Sequence, residues 1–263
     1  MHLVDSHCHL EFSELAEDLD AVMQRARMVG IRRFVSIGTS VHDFAKVLQK
    51  AEEMDDVFCS VGTHPHWADG ETDVQVQDLV AHAAHPKVVG IGEVGLDTFF
   101  TTASWDAQMR NFLVHIEAAR QTQLPLIIHS VKQDDAMEQV LRTEDAKGRF
   151  PVVMHCFSGG PALAQANLDM GHYLSFSGLL THAGSEGMRA IAASLPADRI
   201  LIETDAPSLA PQPYMDQRNE PAYLVHTLRL LAELRNVTPE ELARQTTENF
   251  FRVFRKVPDF SMV

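Results

Sequence analysis

Short apolar runs rich in β-branched residues alternate along the chain with longer stretches of helical spacing. Eight of the apolar runs are predicted to be β-strands, at residues 2–6, 33–37, 57–61, 88–93, 126–129, 152–155, 173–176 and 200–204. The clearest helical stretch is 106–121, where Met109, Phe112, Leu113 and Ile116 form one apolar stripe. Eight strands, each followed by a helical segment, predict an α/β fold, a single-domain (β/α)8 TIM barrel over residues 1–263.

The last part of the chain is also helical in pattern. Thr238 is predicted to cap a helix that begins at Pro239, and Glu241 is placed to complete a capping box. We expect the segment that follows, which ends near Phe254, to pack over the outside of the barrel. The sequence at 219–221 similarly predicts the start of a helix.

The composition is that of a globular protein with ample material for a core, since 45% of the residues are hydrophobic and 22% are charged. The 36 acidic residues outnumber the 22 basic ones, so the net charge of −14 should repel polyanions. This disfavours a nucleic-acid coat protein. It leaves open an enzyme that acts on a phosphodiester, because bound divalent cations can dominate the charge of a site.

No stretch approaches about 18 continuous apolar residues, so the sequence predicts no membrane span. The chain begins directly with a predicted strand and shows no export pattern. Its three cysteines are widely spaced, which favours reduced thiols. We therefore expect a cytoplasmic protein, and no sequence feature indicates an obligate protein partner.

Residues that can bind metals recur at the C-terminal ends of the predicted strands. They end or follow the first, third, fourth, fifth, sixth and eighth strands, in the order His7 and His9, His64 and His66, Glu93, His129, His155 and Asp205. In a barrel these strand ends converge on one face, where enzymes of this fold place their sites. The other histidines are interpreted as surface or packing residues: His2, His42, His82, His85, His115, His172, His182 and His226.

A cluster of imidazoles and carboxylates indicates a metal site, and a mixed set leaves the metal open among Mg, Mn, Zn, Ni and Fe. His7 and His9 are two apart in or near a strand, so their rings project from the same face. Glu93 is central in the strand order and can bridge two ions through its two oxygens. Asp205 can bind one ion and accept the proton of an attacking water. Glu93 and Asp205 are therefore the candidate catalytic residues.

Several short motifs together resemble the TatD family of metal-dependent hydrolases. They are DSHCHL at 5–10, GTHPH at 62–66, GEVGLD at 92–97, HS at 129–130, HCFSG at 155–159, ETDAP at 203–207, NEP at 219–221 and TENF at 247–250. The motifs span nearly the whole chain in the order that the family has them. As a set they are specific, whereas any one of them alone would be weak.

The resemblance implies a barrel of the amidohydrolase type, two divalent ions per chain and deoxyribonuclease activity. It implies that the first ion is held by His7, His9, Glu93 and Asp205, and the second by Glu93, His129 and His155. His64 and His66 would line the substrate side, where a phosphate or a leaving oxygen could be hydrogen-bonded. DNA or a small phosphodiester is the expected substrate.

Two departures from the family pattern reduce the basic complement of the site. Val131 and Lys132 follow His129-Ser130 where members often carry an arginine, and the segment 214–218 replaces an Arg-Gly-Lys stretch. Arg218 is then the candidate residue to meet an anionic substrate. Two alternatives stay open: hydrolysis of an amide, ester or lactone of a small molecule, and a metal-bound binding protein without turnover.

Overall fold

The computed structural model describes residues 1–260, and eight parallel strands form one nearly closed barrel in sequential order. The strands are β1 Leu3–Cys8, β2 Ile31–Ser36, β3 Val57–Val61, β4 Val88–Asp97, β5 Leu126–Val131, β6 Val152–Met154, β7 Tyr173–Phe176 and β8 Ile200–Ile202. The predicted TIM barrel is confirmed. The barrel returns on itself where the Ser6 hydroxyl donates to the Ile202 carbonyl (3.0 Å), which places β8 beside β1.

Helices connect the strands and form the outer layer, as parallel strands require. They are α1 Ser13–Ala16, α2 Leu19–Met28, α3 Phe44–Glu53, α4 Val76–Ala83, α5 Trp105–Thr122, α6 Asp134–Asp145, α7 Pro161–Met170, α8 Glu186–Ser194, α9 Leu224–Leu234 and α10 Pro239–Val253. A 3-10 turn, Pro65–Gly70, follows β3. Within residues 1–260, every helix is too short or too polar to cross a membrane.

The first part of the C-terminal helix packs against α9 on the barrel's outside, as predicted, but its last part covers one end of the barrel, so the prediction was wrong for the residues near Phe254. Phe250, Val253 and Phe254 form one buried cluster with Val4, Val35 and the other inward-facing strand residues. These apolar side chains cover the end of the barrel interior. The helix begins as expected, because the Thr238 hydroxyl accepts from the Glu241 amide (3.1 Å).

Four strands end at residues other than the predicted ones, and this decides which site residues lie in strands and which lie on loops. β4 continues to Asp97 and β5 to Val131, because Gly95 and the buried polar side chains beside it stay in the ladder between these strands. β6 and β8 end earlier than predicted, at Met154 and Ile202. Residues after these two strands therefore sit on loops that bend over the C-terminal face.

Candidate metal centre

The six residues expected to bind metal converge at the C-terminal face of the barrel. Five of them are buried or nearly so: His7 in β1, His9 just after it, Glu93 in β4, His129 in β5 and His155 directly after β6. The sixth, Asp205, follows β8 in the left-handed conformation (φ 59°), which aspartate tolerates better than most residues. Its amide donates to the His7 carbonyl (2.9 Å) and so ties the two ends of the sheet together.

One group of donor atoms is formed by β1, β4 and the loop after β8. His7 Nε2 lies 3.4 Å from Asp205 Oδ1 and 3.4 Å from Glu93 Oε2. His9 Nε2 lies 3.3 Å from Asp205 Oδ1 and 4.0 Å from Glu93 Oε2. Donor atoms around a tetrahedral zinc are separated from one another by about 3.4 Å. The donor atoms of His7, His9 and Asp205 form one group of about this size, and Glu93 Oε2 lies beside it.

A second group of donor atoms surrounds the other oxygen of Glu93. Glu93 Oε1 lies 3.0 Å from His129 Nδ1, 3.3 Å from His155 Nε2 and 3.7 Å from His64 Nε2. The two oxygens of one carboxylate thus face two different sets of histidines. This is the arrangement expected of a bridging ligand.

The donor set fits a metal better than it fits a hydrogen-bond network. Both ring nitrogens of His7 are buried, and neither has a hydrogen-bond partner among the described residues. A buried polar atom of this kind normally finds a partner, because leaving it unpaired costs about 1–3 kcal/mol. Imidazole nitrogens and carboxylate oxygens in one small cluster are the ligands that Zn, Fe, Ni and Mn accept.

Two buried carboxylates that received no role from the sequence hold the histidines of the second group. Asp97 Oδ2 lies 2.9 Å from His129 Nε2, and Glu203 Oε1 lies 2.8 Å from His155 Nδ1. Each carboxylate thus receives the proton-bearing nitrogen of its histidine and leaves the other nitrogen to face Glu93. A carboxylate behind a metal-binding histidine fixes the tautomer and raises the basicity of the ring.

The charges around the site move the pKa values of its members in opposite directions. Burial opposes ionisation of Glu93, but the neighbouring histidines hold the pKa of its carboxyl well below its usual range. Burial also opposes protonation of His155 and His9, yet nearby carboxylates raise their pKa values to about 10 and about 9. Burial and the charge of His155 lower the pKa of His7. Because histidine binds metals in its neutral form, metal binding should displace protons from His9 and His155.

His64 is close enough to Glu93 and His129 to join their group of donor atoms, but without an ion its ring carries a proton on the nitrogen that faces them. Its Nδ1 accepts a hydrogen bond from the His66 amide (3.0 Å), so Nδ1 has no proton. Burial and the neighbouring histidines lower the pKa of His64 to about 3, so the ring is neutral and its single proton lies on Nε2. Nε2 therefore points at the cluster as a hydrogen-bond donor.

Close contact between β3 and β4 brings His64 and Glu93 into one site. A Cβ atom on Gly62 would lie 2.3 Å from Gly92 Cα, so only glycine permits this approach. Gly62 is two residues before His64, and Gly92 directly precedes Glu93. The glycines of both motifs thus have a packing role next to the donor atoms.

A cavity of about 340 Å³ opens over the donor atoms. It is lined by His9, Phe12, Thr39, His64, His66, Trp67, Glu93, His129, His155, Asp205 and Ser208. His66 is exposed at the edge of this cavity, and its contact with a substrate stays a prediction.

Arg218 is not among the residues that line the cavity. Its guanidinium donates to Asp18 Oδ1 (2.7 Å) and to the Glu14 carbonyl (2.7 Å), so the structure does not bring it together with the other predicted site residues. The lining residues Phe12, Thr39 and Trp67 were missed in the sequence, because nothing in their spacing separates them from ordinary loop residues.

Comparisons with known proteins identify the family of this chain. The chain matches the family described as "TatD related DNase" over residues 4–255. It is 35% identical over 253 residues to the uncharacterized metal-dependent hydrolase YabD of Bacillus subtilis, covering 96% of this chain and 99% of that protein. It is 36% identical over 260 residues to the uncharacterized metal-dependent hydrolase YcfH of Escherichia coli K12, covering 97% and 96%.

Two solved structures are similar to this chain, one of them a TatD homologue. The crystal structure of YjjV, a TatD homologue from E. coli K12, superposes with a TM-score of 0.90 at 29% identity, covering 97% of this chain and 98% of that one. A variant of the organophosphorus hydrolase from Deinococcus radiodurans matches with a TM-score of 0.65 at 16% identity over 96% and 92%, which shows a common fold alone. The protein described by this sequence and this site belongs to the TatD-related DNase family.

Proposed function

We propose that this protein is a metal-dependent hydrolase that cleaves phosphodiester bonds, with DNA as the substrate class and two divalent ions per chain. The observation that carries the proposal is the position of Glu93, whose Oε2 lies near His7 and His9 and whose Oε1 lies near His129 and His155. A carboxylate shared in this way is typical of two-metal hydrolases. Relatives named as metal-dependent hydrolases support the same class of activity.

The first ion would be held by His7, His9, Asp205 and Glu93, and the second by Glu93, His129 and His155. When bound, such ions polarise a phosphoryl oxygen and lower the pKa of a water molecule. Two further tasks, taking up the proton of the attacking water and hydrogen-bonding the substrate, are assigned to Asp205 and His64.

Asp205 is the proposed proton acceptor. It lines the cavity, and its side chain is 13% exposed, so it can reach both the donor cluster and an incoming water. Burial opposes its ionisation, but the hydrogen bond and charge of His9, with His155 and His7, lower the pKa of its carboxyl. An ionised carboxylate beside the reacting water can take up the proton that the water loses on attack.

His64 is the proposed donor to the substrate. Its neutral ring directs Nε2–H into the cavity, and the His66 amide holds it in that tautomer. A fixed donor of this kind stabilises negative charge on a phosphoryl or leaving oxygen as it develops in the transition state.

A second candidate function, hydrolysis of a small ester, amide or lactone, is favoured by one observation. No lysine or arginine is present among the described residues that line the 340 Å³ cavity. A long polyanion would normally be met by such side chains. A small substrate would need only the donor cluster.

One experiment tests the proposed function. Chelator-treated protein reloaded with Mg²⁺ or Mn²⁺ should cut DNA, and Asp205→Asn should lower kcat by about 10²–10⁴-fold, the usual contribution of a general base. Asp198→Asn, at an exposed carboxylate, is the matched control and should keep wild-type activity. Equal DNA cleavage by wild type and Asp205→Asn would indicate a contaminating nuclease. Cleavage of carboxylic esters but not of DNA would support the second candidate.

A further inference from the structure

A second cavity adjoins the one over the donor cluster. It measures about 280 Å³ and shares the side chains of Phe12, Thr39 and Trp67 with the first cavity. Phe12 is itself stacked on the ring of His9, with ring centroids 4.6 Å apart. The shared wall therefore begins at a proposed metal ligand, and a substrate held at the metal centre can extend into the second cavity.

Trp67 is the largest side chain of this shared wall and the least buried. It lies in the 3-10 turn directly after His66, and 51% of its surface is exposed. Its ring contact within residues 1–260 is an edge-on approach to His66, with centroids 5.1 Å apart. Much of the indole surface is thus available to a ligand that enters either cavity.

The charges of the second cavity select against an anionic group. Its charged lining residues are Glu11, Glu14, Asp43 and Lys46, and the Lys46 amine is paired with Asp43 at 2.9 Å. Two carboxylates therefore remain without a cationic side chain among the lining residues. A further phosphate of a nucleic-acid chain would be repelled here, whereas an uncharged planar group would not.

We propose that Trp67 is a specificity-determining residue, which stacks on the nucleobase attached to one side of the scissile phosphodiester. The base enters the second cavity, and the anionic chain leaves the site on another side. Every nucleobase has a π-face, so stacking on an aromatic side chain binds bases with little dependence on sequence. This inference rests on the proposed phosphodiesterase function.

The first test compares a thymidine dinucleotide with two analogues in which an abasic sugar replaces either the 5′ or the 3′ nucleoside. For wild type, loss of one of the two bases should lower kcat/KM by about 5- to 150-fold, the range in which base–aromatic stacking falls. In Trp67→Ala this dependence on the base should shrink to less than about 2-fold, and Trp67→Phe should restore most of it. Trp105→Ala is the matched control, because Trp105 is 38% exposed and lines neither cavity.

The second test measures binding without turnover. Trp105→Phe leaves Trp67 as the only tryptophan of the chain, since the sequence contains two. Thymidine monophosphate should quench the fluorescence of this metal-loaded variant, and deoxyribose 5-phosphate, which lacks the base, should quench it far less. Equal quenching by both probes, or by neither, would overturn the inference.

The two proposals fail in different ways. If wild-type protein cleaves none of the three dinucleotides, the proposed function is wrong. If wild type cleaves them and Trp67→Ala keeps the same preference for the base, the proposed function stands and the role of Trp67 is refuted.

Discussion

The two halves of the proposed metal centre differ in what holds their histidines. In the half formed by β5 and β6, each ring is backed by a buried carboxylate, Asp97 behind His129 at 2.9 Å and Glu203 behind His155 at 2.8 Å. Both carboxylates are fixed in turn, because Asp97 also accepts from the Phe99 amide (2.7 Å) and Glu203 from the Cys156 amide (2.6 Å). The protein itself therefore sets the orientation and the tautomer of these two rings.

The half formed by β1 relies on weaker supports. His9 Nδ1 meets only the Ile37 carbonyl (3.2 Å), and His7 is placed by stacking on His155, with ring centroids 3.7 Å apart. The Ile37 carbonyl can fix the tautomer of His9, but neither ring nitrogen of His7 has a hydrogen-bond partner among the described residues, and neither histidine has a carboxylate bonded to its Nδ1. We therefore expect the β5–β6 half to be preorganised for a cation and the β1 half to be ordered more by the cation itself.

The largest effect is expected when the histidines of the β1 half are removed. The double variant His7→Ala/His9→Ala should lose the first ion and retain the second, with hydrolysis reduced by more than about 10³-fold because the two-metal arrangement is lost. Metal analysis of the purified protein and calorimetric titration with Mn²⁺ would measure this. His2→Ala/His42→Ala, at two positions away from the donor cluster, is the matched control. Loss of both ions together would show that the halves are not separable.

An intermediate effect is expected from Asp97→Asn, which changes the tautomer of His129. The carbonyl oxygen of the new side-chain amide would remain bonded to the main-chain amides of Phe99 and Phe100, so its NH₂ group would face His129 Nε2. Nε2 must then accept, and the proton moves to Nδ1, the atom that faces Glu93. We expect about 100-fold weaker binding of the second ion, the upper end for supporting carboxylates.

Glu203→Gln should have a smaller effect on the same ion. The carbonyl oxygen of the introduced glutamine can keep both bonds that Glu203 Oε1 makes, to His155 Nδ1 and to the Cys156 amide. The negative charge is lost, and an NH₂ group replaces Oε2, which is buried without a hydrogen-bond partner among the described residues, so we expect about 10-fold weaker binding. Asp198→Asn again serves as the control in Mn²⁺ titrations. If Asp97→Asn and Glu203→Gln lose equal affinity for Mn²⁺, the tautomer argument is contradicted. If neither loses affinity, the carboxylates do not distinguish the two halves.

Much of the barrel and most of the donor atoms could be predicted from the sequence. Strands buried on both faces read as short apolar runs, so eight of them were recognisable, and polar residues at their C-terminal ends could only converge on one face. Where a strand ends was harder to predict. β4 continues to Asp97 because buried polar residues stay in its ladder, and composition alone does not distinguish such residues from a loop.

The supporting carboxylates were within reach of the sequence but were not recognised. Asp97 is four residues after Glu93 in β4, so strand periodicity places it on the same face as that donor. Glu203 is two residues before Asp205, but both follow the end of β8, and only their closeness in sequence pointed to the site. The histidine that Asp97 or Glu203 contacts lies on another strand or loop. The sequence does not show which one it is, because residue spacing gives no distances between neighbouring strands. The position of Trp67 beside the site could not be predicted, because residues in a 3-10 turn have no periodicity that distinguishes exposed positions from buried ones.

The last expected effect is on folding stability rather than on metal binding, and it concerns a histidine held by main-chain groups beneath the site. His115 in α5 is buried, its Nε2 accepts from the Thr63 amide (3.0 Å), and its Nδ1 donates to the Asn111 carbonyl (2.7 Å). It thereby supports the end of β3 next to His64. Burial lowers the pKa of His115 to about 4.

The pH dependence follows from this lowered pKa. The unfolded chain binds a proton at His115 near pH 6.5 and the folded chain only near pH 4, so the stability from the neutral ring is complete above pH 6.5 and is lost as the pH falls. Between pH 7.5 and 5 the wild type should lose about 2 kcal/mol more unfolding free energy than His115→Gln. Urea denaturation with a chelator present would measure the difference without a contribution from metal binding. Parallel losses in the two proteins would mean that main-chain groups do not hold His115 neutral in the folded protein.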